Sequence, residues 1–429
     1  MREKAEDIFR AGIQAVQPQE IMPQWIQKRD NALFVKGEKI DLDTIGHVYL
    51  IGAGKAAAAM AQVLEDILGD ALTSGIIAVK YGHVLPLKKI KILQAAHPVP
   101  DENSVAAVNE ILKFAEKTTE KDLVFFLLSG GASSILTDFP DGSNLGEIRE
   151  LFENLLQCGA NINEINCVRK QLSKIKGGGL AKAIYPSRLI SFIISDVPNN
   201  DISTIGSGLT VPKLYSHDSA KDILKKYQIY DELSENLKRS IDVGKQKTEE
   251  AVFTKTVNYI IADNEMAVNA AAGKAEDLGY KVIIQSEVME GLAVDVAEKI
   301  TQKANSIKAD NPVCFIYGGE TTVEVNNKQG IGGRSQHLAL AALLNIDKDK
   351  QITLLAGGTD GGDGPTNVAG AIIDNSTVEN AAQKNVNPKD FLAQNNSCHF
   401  FKETGGHINT GPTNTNVMDL VIVLVDNPC

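Results

Sequence analysis

The sequence has few of the residues from which disulfide frameworks and transition-metal sites are built. Its 429 residues include only five cysteines, which are widely scattered and form no C-x-x-C pair. The seven histidines show no H-E-x-x-H spacing. These absences argue against a disulfide-stabilised secreted fold and against a zinc centre, so we expect the cysteines to be buried thiols.

Long apolar runs and an excess of basic residues are also missing. No stretch approaches the ~20 apolar residues that a membrane-spanning helix requires. The N-terminal segment "MREKAEDIFRAGIQAV" has amphipathic alternation and lacks the apolar core of a signal peptide. A net charge of -11 does not suit nucleic acid or an anionic membrane as the main partner. We therefore predict a cytoplasmic protein that acts on small molecules, with homo-oligomerisation left open.

The sequence does contain a regular succession of apolar runs separated by amphipathic segments of helix length. The runs are "HVYLIG", "GIIAVK", "KIKILQA", "DLVFFLLS", "RLISFIIS", "VNYIIA", "YKVIIQ", "PVCFIYGG", "QITLLAGG" and "DLVIVLVD". This alternation indicates an α/β fold with largely parallel sheets and helices on both faces.

The length of the chain predicts two domains. A polar, helical region from about residue 218 to 255 contains no apolar run, so we place the boundary near residue 240. The predicted domains are residues 1–240, with a Rossmann-like sheet, and residues 241–429.

Glycine, hydroxyl and charged residues cluster after several predicted strands, at the edge where open α/β sheets bind ligands. In "VYLIGAGKAAAAMA", Gly52 and Gly54 form a tight turn before a helix, and Lys55 adds a positive charge. A helix start of this kind favours a phosphate group. Because Ala57 replaces the third glycine of a dinucleotide fingerprint, a simple strand-to-helix turn remains the alternative.

Two further glycine loops have the composition of phosphate-binding loops. The first is "LLSGGASSIL", which exposes small residues and hydroxyl groups suited to a polyphosphate: Ser129, Gly130, Gly131 and Ser133. The second is "RKQLSKIKGGGLA", in which Lys176 precedes Gly177 and Gly178. The basic run of this segment is either an electrostatic funnel for an anion or an ordinary solvated helix face.

Acidic groups and one arginine complete the candidate site. Asp196 ends a buried strand in "ISDVP", where a carboxylate binds Mg²⁺ or accepts a proton. Glu320 follows "YGG", and Arg334 opens a helix after two glycines, where it adds an anion clamp to the helix start. Glu320 is either a metal or substrate ligand or the salt-bridge partner of Arg334. "GGTDGGDG" surrounds Asp360 and Gly361 with backbone able to approach a ligand closely.

Taken together and in this order, these motifs and "TGPTNTNVMDL" resemble the class II glycerate kinases, which carry a C-terminal MOFRL domain. The resemblance covers almost the whole chain. It implies two α/β domains with the active site in the cleft between them, and transfer of the ATP γ-phosphoryl to the 2-hydroxyl of D-glycerate. It also implies that Lys55 and Arg334 are the catalytic cations and that Asp196, Glu320 and Asp360 are the other cleft residues.

In this scheme the cofactors are ATP and Mg²⁺. Asp196 is the candidate general base, and Asp196, Glu320 and Asp360 are the candidate magnesium ligands. The alternative is an NAD-dependent hydroxypyruvate or tartronate reductase, suggested by "GAGKAAAA", although no ribose-binding acid is placed about 20 residues after the turn.

Overall fold

The computed structural model describes residues 1–212, 219–243, 249–308, 311–327 and 329–426. The chain forms two compact units. The parallel-sheet unit is Ile21–Ile261, and the mixed-sheet unit is Met1–Glu20 together with the chain from Ala262 onward. The predicted domains 1–240 and 241–429 stay a prediction, although these units place the first 20 residues with the later part of the chain.

The elements are numbered in chain order. The strands are β1 (Ile26–Arg29), β2 (Ala32–Val35), β3 (Glu38–Asp41), β4 (Val48–Ala53), β5 (Leu72–Lys80), β6 (Ile90–Ala95), β7 (Leu123–Leu128), β8 (Arg188–Ile194), β9 (Thr256–Ala262), β10 (Lys281–Ile284), β11 (Val313–Gly319), β12 (Gln351–Gly358), β13 (Gly370–Ile373), β14 (His407–Ile408) and β15 (Asp419–Asp426). The helices are α1 (Arg2–Ala15), α2 (Pro18–Trp25), α3 (Ala57–Leu68), α4 (Glu102–Ala115), α5 (Ala132–Ile135), α6 (Leu145–Gln157), α7 (Ile162–Leu172), α8 (Gly179–Ile184), α9 (Ala220–Lys226), α10 (Glu235–Val243), α11 (Glu250–Thr254), α12 (Asn264–Asp277), α13 (Ala293–Ser306), α14 (Arg334–Leu343), α15 (Asn375–Gln383), α16 (Pro388–Ala393) and α17 (Ser397–Thr404).

All ten apolar runs form strands, namely β4–β12 and β15. The sequence pattern missed β1–β3, which form a small antiparallel sheet, and the short strands β13 and β14. The polar region before β9 contains α9, α10 and α11, as expected for a helical segment. Residues 218 and 244–248 of that region lie outside the described part of the chain.

The sheet of the parallel-sheet unit has the strand order β6-β5-β4-β7-β8-β9. The pairs β4/β5, β5/β6, β4/β7 and β7/β8 are parallel. The chain moves outward from β4 in one direction and then from β7 in the other, which is the strand order of doubly wound nucleotide-binding sheets. Ligands bind to such sheets where the order reverses, here between the carboxyl ends of β4 and β7.

The sheet of the mixed-sheet unit has the order β10-β11-β15-β12-β13-β14, and its only parallel pair among the described residues is β10/β11. The α/β class is confirmed, but the expectation of largely parallel sheets holds for the first sheet only. The buried run of β15 is apolar throughout because helices cover the middle of the sheet. Such a run looks the same in a parallel and an antiparallel pairing.

Cys167 and Cys314 are buried as predicted, whereas Cys398 is only partly buried, and Cys158 is exposed because it follows the last turn of α6 at the surface. Cys429 lies outside the described residues. In the described part of the chain, no helix combines the length and the apolar character needed to cross a bilayer.

Candidate active site

Lys55 lies in the loop between β4 and α3, at the point where the strand order of the parallel sheet reverses. The preceding residue, Gly54, has φ of 122°, a conformation that side chains rarely adopt. A Cβ atom there would lie 2.3 Å from the hydroxyl oxygen of Ser129, at the end of β7. The glycine therefore lets the loops after β4 and β7 pack against each other, and this contact fixes the backbone of Lys55.

The backbone donors of this loop bond within the unit. The N–H of Lys55 donates to the carbonyl of Gly130 at 2.9 Å, and the N–H of Ala56 donates to the Ser129 hydroxyl at 2.9 Å. The N–H of Ala57 donates to the Gly54 carbonyl. The sequence had suggested that free N–H groups at this helix start would hold a phosphate. These N–H groups are instead bonded within the unit, so the positive charge of the loop comes from the ammonium group of Lys55.

The other two predicted phosphate loops are joined through Ser207. The hydroxyls of Ser133 and Ser207 lie 2.9 Å apart. The N–H of Gly177 donates to the Ser207 carbonyl at 3.1 Å, and the N–H of Gly178 donates to the Gly208 carbonyl at 2.8 Å. The structure thus brings together loops that are more than 40 residues apart in sequence.

The basic run before these glycines is not a uniformly solvated face. Lys176 is only 1% exposed, and its ammonium group donates to the Leu136 carbonyl. Lys170 is also buried. Arg169 donates to the side-chain oxygen of Asn166 at 3.0 Å and stacks over the ring of Phe152. Burial lowers the pKa of Arg169 to about 10, because the charged form loses hydration.

Asp196 lies two residues beyond the end of β8 and is partly exposed. In the strand order, β8 lies next to β7, and β7 separates β8 from β4. Asp196 therefore follows the same edge of the sheet as Lys55 and Ser129. It belongs to the parallel-sheet unit, whereas Glu320 and Asp360 belong to the mixed-sheet unit, so the three predicted magnesium ligands are divided between the units.

Arg334 is the first residue of α14, as the sequence predicted. Its Nε and Nη2 donate to the two carboxylate oxygens of Asp419 at 2.6 and 2.9 Å, and its Nη1 donates to Glu320. Burial opposes the positive charge, but the two carboxylates outweigh that effect and raise the pKa of Arg334. The structure thus contains the salt bridge between Glu320 and Arg334 that was one of the two interpretations of Glu320.

The start of α14 is occupied by a carboxylate of the protein itself. Asp363, which is 3% exposed, accepts hydrogen bonds from the N–H groups of Ser335 and Gln336 at 3.0 and 2.8 Å. The side-chain amide of Gln336 donates to it as well. Burial raises the pKa of Asp363 to about 6, because ionisation costs more away from water. The helix N–H groups that sequence reasoning assigned to an anionic ligand are therefore bonded to Asp363.

The glycine cluster around Asp360 packs against other backbone of the same unit. A Cβ at Gly361 would lie 2.0 Å from the Gly411 carbonyl oxygen. A Cβ at Gly358 would lie 3.3 Å from a carboxylate oxygen of Asp360 and 3.4 Å from one of Asp419. The glycines therefore bring the Asp360 loop close to Asp419, the residue that holds Arg334.

Two residues of this cluster, Asp363 and Asp419, were not assigned roles from the sequence. The sequence does contain a signal for Asp419, because it directly precedes the apolar run "LVIVLV". A carboxylate buried next to such a run needs a partner for its charge. Within the described ranges, no three His, Cys, Asp or Glu side chains are grouped so as to hold a metal ion. Magnesium in phosphoryl-transfer enzymes needs only one or two carboxylates beside the phosphates, so a complete protein cage is not required.

The parallel-sheet unit has a doubly wound sheet with charged loops at its strand-order reversal, and the mixed-sheet unit has an arginine held at a helix start; these are features of α/β enzymes. A family model described as a domain of unknown function (DUF4147) matches residues 4–242, and the MOFRL family model matches residues 313–419. The chain belongs to the family of glycerate kinases that combine these two regions.

The relatives match along nearly their whole length. The glycerate 2-kinase of Pyrococcus horikoshii is 36% identical over 98% of this chain and 94% of its own. The D-glycerate 2-kinase of Thermotoga maritima is 35% identical over 99% and 98%. The crystal structure of a Thermotoga maritima glycerate kinase matches with a TM-score of 0.84 and 33% identity over 99% of both chains. An Agrobacterium vitis protein with the provisional name hydroxypyruvate reductase is 35% identical over 89% of this chain and 100% of its own.

Proposed function

We propose that the protein is a glycerate 2-kinase, which transfers the γ-phosphoryl group of ATP to the 2-hydroxyl of D-glycerate. The products are 2-phosphoglycerate and ADP. The full-length likeness to glycerate 2-kinases from two organisms carries this proposal. The cytoplasmic location and the absence of nucleic-acid and membrane partners stay predictions from the sequence.

Phosphoryl transfer requires alignment of the reactants and neutralisation of charge on the moving group. Lys55 supplies a positive charge at the strand-order reversal of the parallel sheet, on a loop whose backbone is fixed by Ser129 and Gly130. A fixed cation stabilises the transition state without reorganising during the reaction. We assign Lys55 to the transferring phosphoryl group.

Arg334 is the second proposed cation. Asp419 holds two of its nitrogens, so the guanidinium is fixed in orientation, while Glu320 bonds the third. The glycerate carboxylate or the phosphoryl group would compete with Glu320, which is 40% exposed and costs less to displace than the buried Asp419.

The surroundings of Arg334 suit a divalent cation. Glu320 bonds Arg334, and the Asp360 loop lies close to Asp419, so carboxylates of the same unit flank the guanidinium. Carboxylates of this kind, together with phosphate oxygens, are the ligands that Mg²⁺ takes in kinases. We propose that Asp360 and Glu320 hold Mg²⁺ and that Asp196 orients or deprotonates the 2-hydroxyl of glycerate, with its metal role as the alternative.

The glycine loops are proposed to hold the phosphates of ATP. The residues concerned are Gly52, Gly54, Ser129, Gly130, Gly131, Ser133, Lys176, Gly177, Gly178 and Gly361. The N–H groups of Gly177 and Gly178 already donate to carbonyls of the unit, so the Ser133 hydroxyl, which lies 2.9 Å from that of Ser207, is the group of this junction that supports phosphate binding.

The test is a coupled assay with ATP, Mg²⁺ and D-glycerate in the presence of enolase and without phosphoglycerate mutase. Enolase converts only 2-phosphoglycerate to phosphoenolpyruvate, so the absorbance of phosphoenolpyruvate rises if the 2-hydroxyl is phosphorylated. ADP formation without phosphoenolpyruvate would assign the transfer to another hydroxyl. No glycerate-dependent ADP formation would reject the kinase.

The reductase alternative draws on the name of the Agrobacterium vitis relative. It requires the turn after β4 to hold a dinucleotide pyrophosphate on free N–H groups. The N–H groups of Lys55 and Ala56 already donate to Gly130 and Ser129, which disfavours that mode of binding. Loss of NADH absorbance on adding hydroxypyruvate would support the reductase.

A further inference from the structure

The parallel-sheet unit contains a cavity of about 390 Å³ that shares Ser133 and Lys176 with the proposed phosphate loops and extends beyond them. It lies among the loops that follow β6 and β7 and the helices α6 and α7. Its volume is within the range of pockets that bind small organic molecules. Because it adjoins the carboxyl ends of parallel strands, it occupies the region where such sheets bind ligands.

The lining of the cavity has an apolar and a cationic part. Val99, Phe152 and Leu156 contribute apolar surface, and the side chains of Val99 and Leu156 are 60% and 65% exposed. Arg169 and Lys176 contribute positive charge beside the hydroxyl of Ser133. Exposed apolar side chains around a concave surface are typical of binding sites.

Arg169 is the strongest sign that the ligand is an anion. Its guanidinium contacts the amide oxygen of Asn166 at 3.0 Å and the ring of Phe152, whose centroid lies 4.8 Å from the guanidinium carbon. Among the residues that the structure describes, no carboxylate forms an ion pair with it. Burial without a counter-ion lowers the pKa of Arg169. An anion bound in the cavity would supply that counter-ion.

The cavity also contains two acids, and neither is directed at Arg169 by a hydrogen bond. Asp138 accepts hydrogen bonds from the Ser173 hydroxyl and the N–H of Lys174. Glu153 bonds the side chain of Gln157 on the surface of α6.

The two reactants of the proposed kinase differ in the surface that they require. D-Glycerate is small and polar throughout, so it gains nothing from an apolar wall. ATP combines a flat aromatic base with a polyanionic chain, and it needs apolar surface at one end and cations and hydroxyls at the other.

We propose that this cavity binds ATP, with the adenine base against Val99, Phe152 and Leu156 and the phosphate chain directed to Ser133 and Arg169. The assignment rests on the proposed kinase activity. It adds a base-binding site that no phosphate-loop motif in the sequence indicates, and it makes Arg169 a nucleotide-binding residue.

The test uses two variants of the full-length enzyme, R169Q and L156D. The KM for ATP and the Kd for ADP, measured by titration calorimetry, are each expected to rise about 10-fold, since each variant removes one part of the lining. The KM for D-glycerate should stay within about twofold of the wild-type value.

Matched controls separate local effects from general ones. I162D changes an aliphatic side chain that is 59% exposed on α7 and does not line the cavity. R188Q removes an arginine that pairs with Glu38 at the surface. Both control variants should keep the wild-type KM for ATP. Thermal melts should show that all four variants are folded. Because Leu156 is exposed, L156D should fold and remain informative even if R169Q is unstable.

The outcomes distinguish the two proposals. Wild-type KM for ATP and Kd for ADP in folded R169Q and L156D would overturn the cavity assignment and leave the kinase standing. A raised KM for D-glycerate with unchanged ADP binding would overturn it in favour of a hydroxy-acid site. A wild-type enzyme without glycerate-dependent ATP turnover would reject the kinase, while the ADP titrations would still decide whether the cavity binds a nucleotide.

Discussion

Arg334 and Asp419 form a two-point ion pair in which both carboxylate oxygens accept from one guanidinium, at 2.6 and 2.9 Å. Asp419 is 2% exposed in its side chain, whereas Glu320, the other partner, is 40% exposed. This difference in burial separates the two acids. Asp419 fixes the arginine from the interior of the unit, and Glu320 covers it on the solvent side.

The difference predicts unequal effects of two isosteric substitutions. D419N should lower the free energy of unfolding by about 3 kcal/mol, because it leaves a largely buried guanidinium without its main counter-ion. E320Q should lower it by less than about 1 kcal/mol, since solvent screens the exposed pair. Urea unfolding of the two variants measures both values. Equal losses would contradict the distinction between the two acids.

The sequence identified Arg334 but not the residue that holds it. A helix start after two glycines is a local pattern, whereas the contact with Asp419 joins positions 85 residues apart. The basic run near Lys176 shows the same limit. Its composition is compatible with a solvated face, yet tertiary packing buries Lys170 and Lys176. Burial of long charged side chains depends on distant partners that a local pattern does not show.

Strand positions were predicted well because a buried apolar run is a local property. The direction of pairing was not, and β15 lies antiparallel to both β11 and β12. Strands β1–β3 were not predicted because each is only four residues long and because β1 and β3 are mostly polar.

The contact between Gly54 and Ser129 predicts a strong effect of a single methyl group. G54A should cost about 2–3 kcal/mol more than G37A, because the added carbon would overlap the hydroxyl and carbonyl oxygens of Ser129. Gly37 has a similar left-handed conformation, with φ of 85°, but open space around it. Thermal or urea unfolding of the two variants checks the difference. G54A should also reduce the kinase rate, since Lys55 is the next residue, and equal stability of the variants would refute the contact.

Asp374 predicts a dependence of stability on pH. Burial acts to raise its pKa, but hydrogen bonds from Arg2, Ser376 and Thr377 outweigh this and lower the pKa to about 2 from 3.8. A lowered pKa contributes stability above pH 4 that is lost as the pH falls toward 2. R2Q should therefore be less stable than the wild type by about 1–2 kcal/mol at neutral pH, and the deficit should shrink between pH 4 and 2.

Urea unfolding across that pH range measures the deficit. R10Q is the control, because Arg10 is exposed and its carboxylate partner Glu6 lies 3.9 Å away. A deficit of R2Q that stays constant from pH 7 to the lowest pH at which both proteins fold would contradict the role of the Asp374 carboxylate.

The central claim is that Lys55 and Arg334 stabilise the transfer of a phosphoryl group to D-glycerate. The most direct measurement is kcat/KM for 2-phosphoglycerate formation by K55A and R334A, beside the exposed-cation controls K182A and R10A. We predict a loss of about 10³-fold in K55A and in R334A with the fold intact, and wild-type rates in the controls. Activity of both K55A and R334A within about tenfold of the wild type would contradict the account.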